Sequence, residues 1–392
     1  MHVLEWVSSR RSGARLALGT ALVASAVGVT ACGSSGGSGA SGGDATAASQ
    51  PASGDNAAQI AALTKRPTHI AVTVPVGKPI PTGKKVIYIP PPLGDQKPAE
   101  KILGQAAQVL GWTSSAIVPT SATTSAFAAS IDEALRQKAD AIILVSFPGT
   151  ALAGPIGRAK AQGVPVINLY ASEPPGTVPG IVAQPLGKSY TIKVAEKTGE
   201  LLGLMVPPGS TVGEAALLVV TKASDYQLAT ERGVKKSCPT CKYAANITLA
   251  AQAKDYVPNM VTFIRKENLK GLYILNGPLS NGLGAAMRAA GEDPSSVKAL
   301  AGAIGSGDGS AQRVNSSEAP LAAGYVWPGA EGIWYGVDAA VRALAGVPTK
   351  PSDADADPYI VLPGKIPSEV LNSPSPVAVT DYQAEFAKLW GK

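Results

Sequence analysis

The stretch "LRQKADAIILVSFPGTALAGPIGRAKAQGVPVINLY", residues 135–170, holds two short apolar runs, AIILVS and VPVINLY, with an amphipathic segment between them. Its spacing predicts a strand at Ala139–Val145, a helix at Thr150–Gln162 and a strand at Val164–Leu169. Continuous rather than alternating apolar runs are what a parallel sheet covered on both faces requires. The same rhythm extends upstream, with a strand at Lys85–Ile89, a helix at Pro98–Gly111, a strand at Ser115–Val118 and a helix at Thr124–Gln137. Strict alternation of this kind reads as a doubly wound α/β lobe.

Downstream the rhythm restarts. A helix is expected at Gly187–Met205, then strands at Ala215–Val220, Tyr243–Leu249, Gly271–Leu275 and Val297–Ala301, with helices between them. A further strand, Leu321–Trp327, leads into a helix at Ala330–Ala345. The chain then closes through the proline-rich VLPGKIP and a short helix near YQAEFAKLWG. The whole chain has 392 residues, too many for one compact core.

The N-terminus has signal-peptide anatomy. Arg10, Arg11 and Arg15 precede an apolar run, Leu16–Ala31, too short to span a membrane. The residues Val29-Thr30-Ala31-Cys32 resemble the lipobox of bacterial lipoproteins, which implies that Cys32 is lipidated and becomes the mature N-terminus. Arg10-Arg11 is followed by Ser12-Gly13, a poor match to a twin-arginine export signal. Residues 32–66 are Gly, Ser, Ala, Asp and Gln with few large apolar side chains, and are expected to form a disordered tether.

The formal charge of +6 falls once the signal arginines are removed, and no Lys/Arg run is interleaved with aromatics, so nucleic acid is not implied. His69 is the sole histidine of the mature chain, which removes most metal-site and histidine-based catalytic schemes. No nucleophile elbow is present and no cofactor is expected. Cys238-Pro-Thr-Cys241 could be a disulfide, a redox pair or half a zinc site; following a helix and preceding a strand, it reads best as a stapled turn. GSGDGS, near Asp308, lacks the spacing of a phosphate loop. DADADP, residues 353–358, fails as a calcium loop and reads as a solvated acidic loop.

Three segments carry a family resemblance: the opening stretch, "LNGPLSNGLGAAMRAAG" (275–291) and "AAGYVWPGAEGIWYGVDAAVRALAG" (322–346). The chain resembles the type I periplasmic binding proteins, in particular ribose-binding-like solute-binding lipoproteins of bacterial ABC importers. The resemblance implies two Rossmann-like doubly wound lobes joined by a multi-stranded hinge. Lobe 1 is expected at 67–183, lobe 2 at 184–326, a returning part of lobe 1 at 327–358, and a hinge crossing with C-terminal tail at 359–392. Crossings are expected near Val182–Gln184, Val326–Pro328 and Tyr359–Pro363. The ligand would lie in the cleft, beyond the carboxyl ends of the strands.

Sugar-binding relatives carry polar residues where this chain has Tyr170-Ala171, Thr230, Gly277, Gly305 and Val326. Their joint loss points to a ligand less hydroxylated than a sugar, because unpaired buried polar groups cost about 1–3 kcal/mol each. The candidate ligand-binding residues are Phe147, Tyr170, Tyr226, Asn276, Asp308 and Trp327, with Tyr256 a weaker candidate. A compact, partly apolar molecule is expected between Tyr170 and Trp327, with Asn276 giving one directional hydrogen bond. The resemblance implies a monomer on the outer face of the cell membrane, held by lipid on Cys32, that hands a small molecule to an ABC permease. Sugar binding and a lipid-anchored sensor role are the alternatives.

Overall fold

The computed structural model describes residues 54–92, 96–218, 223–249, 255–305 and 307–392. The expected signal segment, Cys32 and the first part of the expected tether lie outside them. Helix α1 (Gly54–Leu63) comes first. The first lobe then runs β1 (Lys85–Ile89), α2 (Lys97–Leu110), β2 (Thr113–Ala116), α3 (Thr124–Arg136), β3 (Ala141–Val145), α4 (Ala153–Ala161), β4 (Val166–Leu169) and β5 (Ile181–Ala183). The second runs α5 (Lys188–Met205), β6 (Thr211–Leu218), α6 (Ala223–Ser237), β7 (Lys242–Leu249), α7 (Tyr256–Glu267), β8 (Leu269–Ile274), α8 (Leu283–Ala289), β9 (Lys298–Ile304), α9 (Ser310–Asn315) and β10 (Leu321–Val326). Helix α10 (Gly329–Leu344), strand β11 (Tyr359–Val361), and helices α11 (Ser368–Leu371) and α12 (Tyr382–Leu389) complete the chain.

The first sheet has the order β2-β1-β3-β4-β5, all parallel, and the second β11-β10-β9-β8-β6-β7, parallel but for β11. In each sheet the order reverses direction next to the first strand of its lobe, between β1 and β3 and between β6 and β8. Such switch points open crevices at the carboxyl ends of the strands. Helix α10 returns to pack on β3, β4 and α2 of the first lobe. Gly336 in this helix faces Ile143 so closely that a Cβ there would stand 3.1 Å from the isoleucine side chain.

The tether expected at 32–66 needs correction. Residues 54–66 are not all tether: the alanine-rich α1 has Ile60 and Leu63 to pack against the main core, and Arg66 donates to the Ala378 carbonyl (2.8 Å). The crossing expected near Val182–Gln184 follows β5, whose Ile181 and Ala183 pair with β4 as an edge strand. Around the expected crossing Tyr359–Pro363, residues Tyr359–Val361 pair antiparallel with β10.

The acidic loop 353–358 is not simply solvated. Asp353 accepts the Gln184 N–H (2.6 Å), Asp355 the Ser189 hydroxyl (2.5 Å) and Asp357 the Lys193 ammonium (2.5 Å), while Lys197 donates to the Pro358 carbonyl (2.7 Å). The loop is thereby laid along α5.

The N-terminal lead-in and the C-terminal tail bind each other over α10. Ile70 N–H donates to Glu385 (2.9 Å), Ala71 N–H to the Tyr335 hydroxyl (2.7 Å) and Val76 N–H to the Leu389 carbonyl (2.9 Å). Glu331 of α10 accepts the N–H groups of Ala378 and Val379. Burial pushes its carboxyl up to about 7, against the opposing pull of those N–H groups and Arg66. Burial likewise pushes Asp353 up to about 6.

A raised carboxyl holds its proton more tightly in the folded than in the unfolded chain. Its stabilisation is therefore full below the ordinary carboxylate range and lost as pH rises through the folded value. The urea midpoint should fall between about pH 5 and pH 7.5, by on the order of 1–3 kcal/mol of stability. Glu331→Gln should remove about half of that slope, the rest belonging to Asp353; an unchanged slope would assign it to other groups.

Cys238 and Cys241 are joined by a disulfide across a Cα separation of 5.3 Å. The Cys241 N–H donates to the Cys238 carbonyl (3.0 Å), closing the turn between α6 and β7. Both cysteines are buried. Neither should react with a thiol reagent in the native protein until a reductant is added, as mass spectrometry of the labelled chain would read.

Candidate functional site

A cavity of about 600 Å³ lies where the carboxyl ends of the two sheets face each other. From the first lobe it takes Tyr88 of β1, Phe127 of α3, Val145, Ser146 and Phe147 at the end of β3, and Tyr170 after β4. The second lobe supplies Tyr190 and Thr191 of α5, Tyr226 of α6, Tyr273 and Asn276 on and after β8, Ala303 of β9 and Tyr325 of β10. Trp327 stands at the crossing between β10 and α10. Six of the chain's 11 tyrosines line this one space.

Each wall is fixed by its own packing. The Tyr170 ring lies on α10, where Gly332 makes room: a Cβ there would stand 2.2 Å from the tyrosine oxygen. The Tyr170 hydroxyl donates to the Pro328 carbonyl (3.0 Å). Trp327 packs on the Tyr170 ring, centroids 4.1 Å apart and planes at 34°. Phe147 stacks on Phe127 at 4.1 Å, and its carbonyl accepts the Asn168 amide (3.1 Å). The Tyr190 and Tyr325 hydroxyls meet at 2.7 Å. Ser146, Tyr170 and Ala303 hold left-handed backbone, φ 53°, 57° and 52°, at three strand ends that line the cavity. Such residues cost of order 1–3 kcal/mol each and persist where the surrounding structure imposes them.

None of the described lining residues is an Asp, Glu, Lys, Arg or His. Burial pushes the Tyr226 phenol up to about 12 and raises those of Tyr88, Tyr170, Tyr190, Tyr273 and Tyr325 well above their ordinary value. All six hydroxyls are therefore neutral at physiological pH. Among the described residues no group of three or more His, Cys, Asp or Glu side chains could hold a metal ion.

Of the residues expected from sequence, Phe147, Tyr170, Tyr226, Asn276 and Trp327 line the cavity. Asp308 does not: its carboxylate accepts the Ser310 N–H (2.8 Å) at the start of α9. Tyr256 belongs to the core on the other side of the second sheet, with Met260 and Ile264. The space expected between Tyr170 and Trp327 is closed, because the two rings pack on each other and form one wall. Val326, placed at a sugar-reading position by resemblance, points into the second core, and its strand neighbours Tyr325 and Trp327 face the cavity instead. Thr230 turns its hydroxyl back to the Tyr226 carbonyl of its own helix (3.1 Å). Tyr88, Tyr190, Tyr273 and Tyr325 were missed by sequence reasoning. For Tyr88, Tyr273 and Tyr325 the signal was the recurrence of tyrosine near strand ends in a chain with only 5% aromatics; Tyr190, on α5, gave none.

Two α/β lobes with a cavity between the carboxyl ends of their sheets define a two-lobed solute-binding architecture. Residues 86–347 match the periplasmic binding protein domain, and the chain belongs to that family. Its fold is similar to that of a periplasmic ribose ABC transporter protein from Conexibacter woesei (TM-score 0.59, 17% identity, 76% of this chain and 95% of that one). It is also similar to a periplasmic solute-binding protein from Actinobacillus succinogenes with bound D-allose (0.58, 12%, 72% and 98%). A third likeness is to a glucose-galactose binding protein from Geobacillus stearothermophilus (0.59, 15%, 72% and 98%). A search of curated proteins by sequence gave no match.

Proposed function

We propose that this protein is an extracytoplasmic solute-binding lipoprotein that captures a compact neutral solute, poorer in hydroxyls than a sugar, and delivers it to an ABC importer permease. The cavity carries this reading: aromatic on all sides, with no ionised side chain among its described lining residues. A charged solute would enter without a counter-charge, at a large desolvation cost. Sugar binding is the second reading, favoured by the sugars that the similar proteins are named for or hold: ribose, D-allose and glucose-galactose. Closure of the two lobes over the solute would be a hinge motion through the crossings beside Gln184, Trp327 and Pro358.

The discriminating experiment is a thermal-shift screen of the mature chain against pentoses and hexoses, amino acids, and neutral aromatic or alicyclic compounds. A solute that binds only the native state adds about 2.7 kcal/mol at 100 times its Kd. The neutral compounds should give the largest shifts. Shifts confined to sugars would restore the second reading, and shifts confined to amino acids would remove both.

Anchoring rests on the sequence Val29-Thr30-Ala31-Cys32. Among the described residues no helix is long and apolar enough to cross a membrane. Cys32→Ala should release the protein from washed membranes, as soluble chain or as unprocessed precursor. Full membrane retention of the variant would remove the lipid anchor from the proposal.

A further inference from the structure

A tyrosine hydroxyl donates one hydrogen bond and can accept two. Tyr170 directs its hydrogen to the Pro328 carbonyl. Tyr190 and Tyr325 share one hydrogen bond between two hydroxyls, which uses one of their two hydrogens and leaves the other without an acceptor among the described residues. The Tyr88 hydroxyl, on the opposite lobe, makes no hydrogen bond to a described residue and opens onto the cavity. The cavity thus offers to a solute hydroxyl donors that no described side chain has taken up. A sugar hydroxyl can accept from these donors, but each brings a hydrogen of its own, for which no carboxylate stands among the described lining residues. A carbonyl oxygen accepts two hydrogen bonds and brings no hydrogen.

Building on the proposed solute-binding role, we propose that the cavity selects a neutral cyclic compound bearing a carbonyl oxygen. That oxygen accepts from the Tyr190–Tyr325 pair while the ring lies against the wall made by Trp327 and Tyr170. Tyr190 and Tyr325 are then the specificity-determining residues. Either one alone keeps a donor, so only their joint replacement removes it. The raised phenol values of the pair keep the donor present through the physiological pH range.

The test uses three probes on one carbon skeleton, 1-tetralone, 1-tetralol and tetralin, titrated into the full mature chain by calorimetry, with D-ribose and D-allose beside them. 1-Tetralone should bind about tenfold more tightly than tetralin or 1-tetralol. In Tyr190→Phe/Tyr325→Phe that preference should vanish. The infrared carbonyl stretch of bound 1-tetralone should move to lower wavenumber in the native protein and not in the double variant. Equal binding of 1-tetralone and tetralin overturns the carbonyl proposal and leaves the neutral-solute reading intact. Preferential binding of either sugar overturns both, and failure of all three probes to bind overturns the proposal. If the double variant does not fold, the native protein decides alone: an unshifted carbonyl stretch overturns the assignment.

Discussion

Asp338→Ala is expected to cost about 3–5 kcal/mol of folding stability, the range for breaking a buried ion pair from one side. Asp338 and Arg342 are essentially inaccessible, at 0% and 2% side-chain exposure, and meet at 2.7 Å along one turn of α10. The same carboxylate accepts the Ser352 hydroxyl (2.6 Å) and the Trp390 indole N–H (2.8 Å), while Arg342 also donates to the Val74 carbonyl. One aspartate therefore ties together the return helix, the segment after it, the C-terminal helix and the N-terminal lead-in. Removing it leaves a buried guanidinium with one backbone carbonyl, an indole N–H without an acceptor, and a hydroxyl in the same position.

Urea titration should show a lowered midpoint with little change in slope. Asp338→Leu/Arg342→Leu should lose less than Asp338→Ala, because no uncompensated charge remains. A loss below about 1 kcal/mol in the single variant would mean that the network contributes little.

The alternation of strands and helices was legible because a sheet covered on both faces demands unbroken apolar runs, such as AIILVS, that stand out from amphipathic neighbours. Phe147, Tyr170, Asn276 and Trp327 were legible for a related reason: each follows the last residues of a strand, and strand ends face the cleft in this topology. Tyr88, Tyr273 and Tyr325 sit inside their strands, where a tyrosine in an apolar run reads as core. Which face of a terminal strand residue opens to the cavity is set by the opposing sheet, a relation between residues far apart in sequence. The same limit explains Val326, since a shift of one residue turns a strand side chain to the other face. Helix α1 was hidden because its composition is that of a tether, and its few apolar side chains gain meaning only from the core they touch. Asp308 was misplaced because an aspartate in a glycine-rich loop serves a turn and a ligand site equally well on paper.

Trp327→Ala should weaken the neutral solute with the largest thermal shift by about thirtyfold, equivalent to about 2 kcal/mol, the scale of a central aromatic anchor. The indole is partly exposed, stands between β10 and α10, and forms one wall with Tyr170. Truncation would strip the ligand of its broadest apolar contact and of the 0.5–1.5 kcal/mol or so that ring contacts add beyond burial. Folding stability should change much less than affinity, because the ring shields a cavity rather than filling a core. Tyr170→Ala should do both kinds of damage, since its ring is wedged against Gly332 and its hydroxyl is bonded to the Pro328 carbonyl. Trp327→Phe should recover most of the affinity, which separates loss of the aromatic face from loss of the fold. Calorimetry of all three variants, with the melting temperature of each apo protein as control, reads these differences. Micromolar binding of ribose, allose or galactose that survives both Trp327→Ala and Tyr170→Ala would defeat the prediction. The sugar would then be held by contacts away from this wall, and the aromatic lining would be packing rather than recognition.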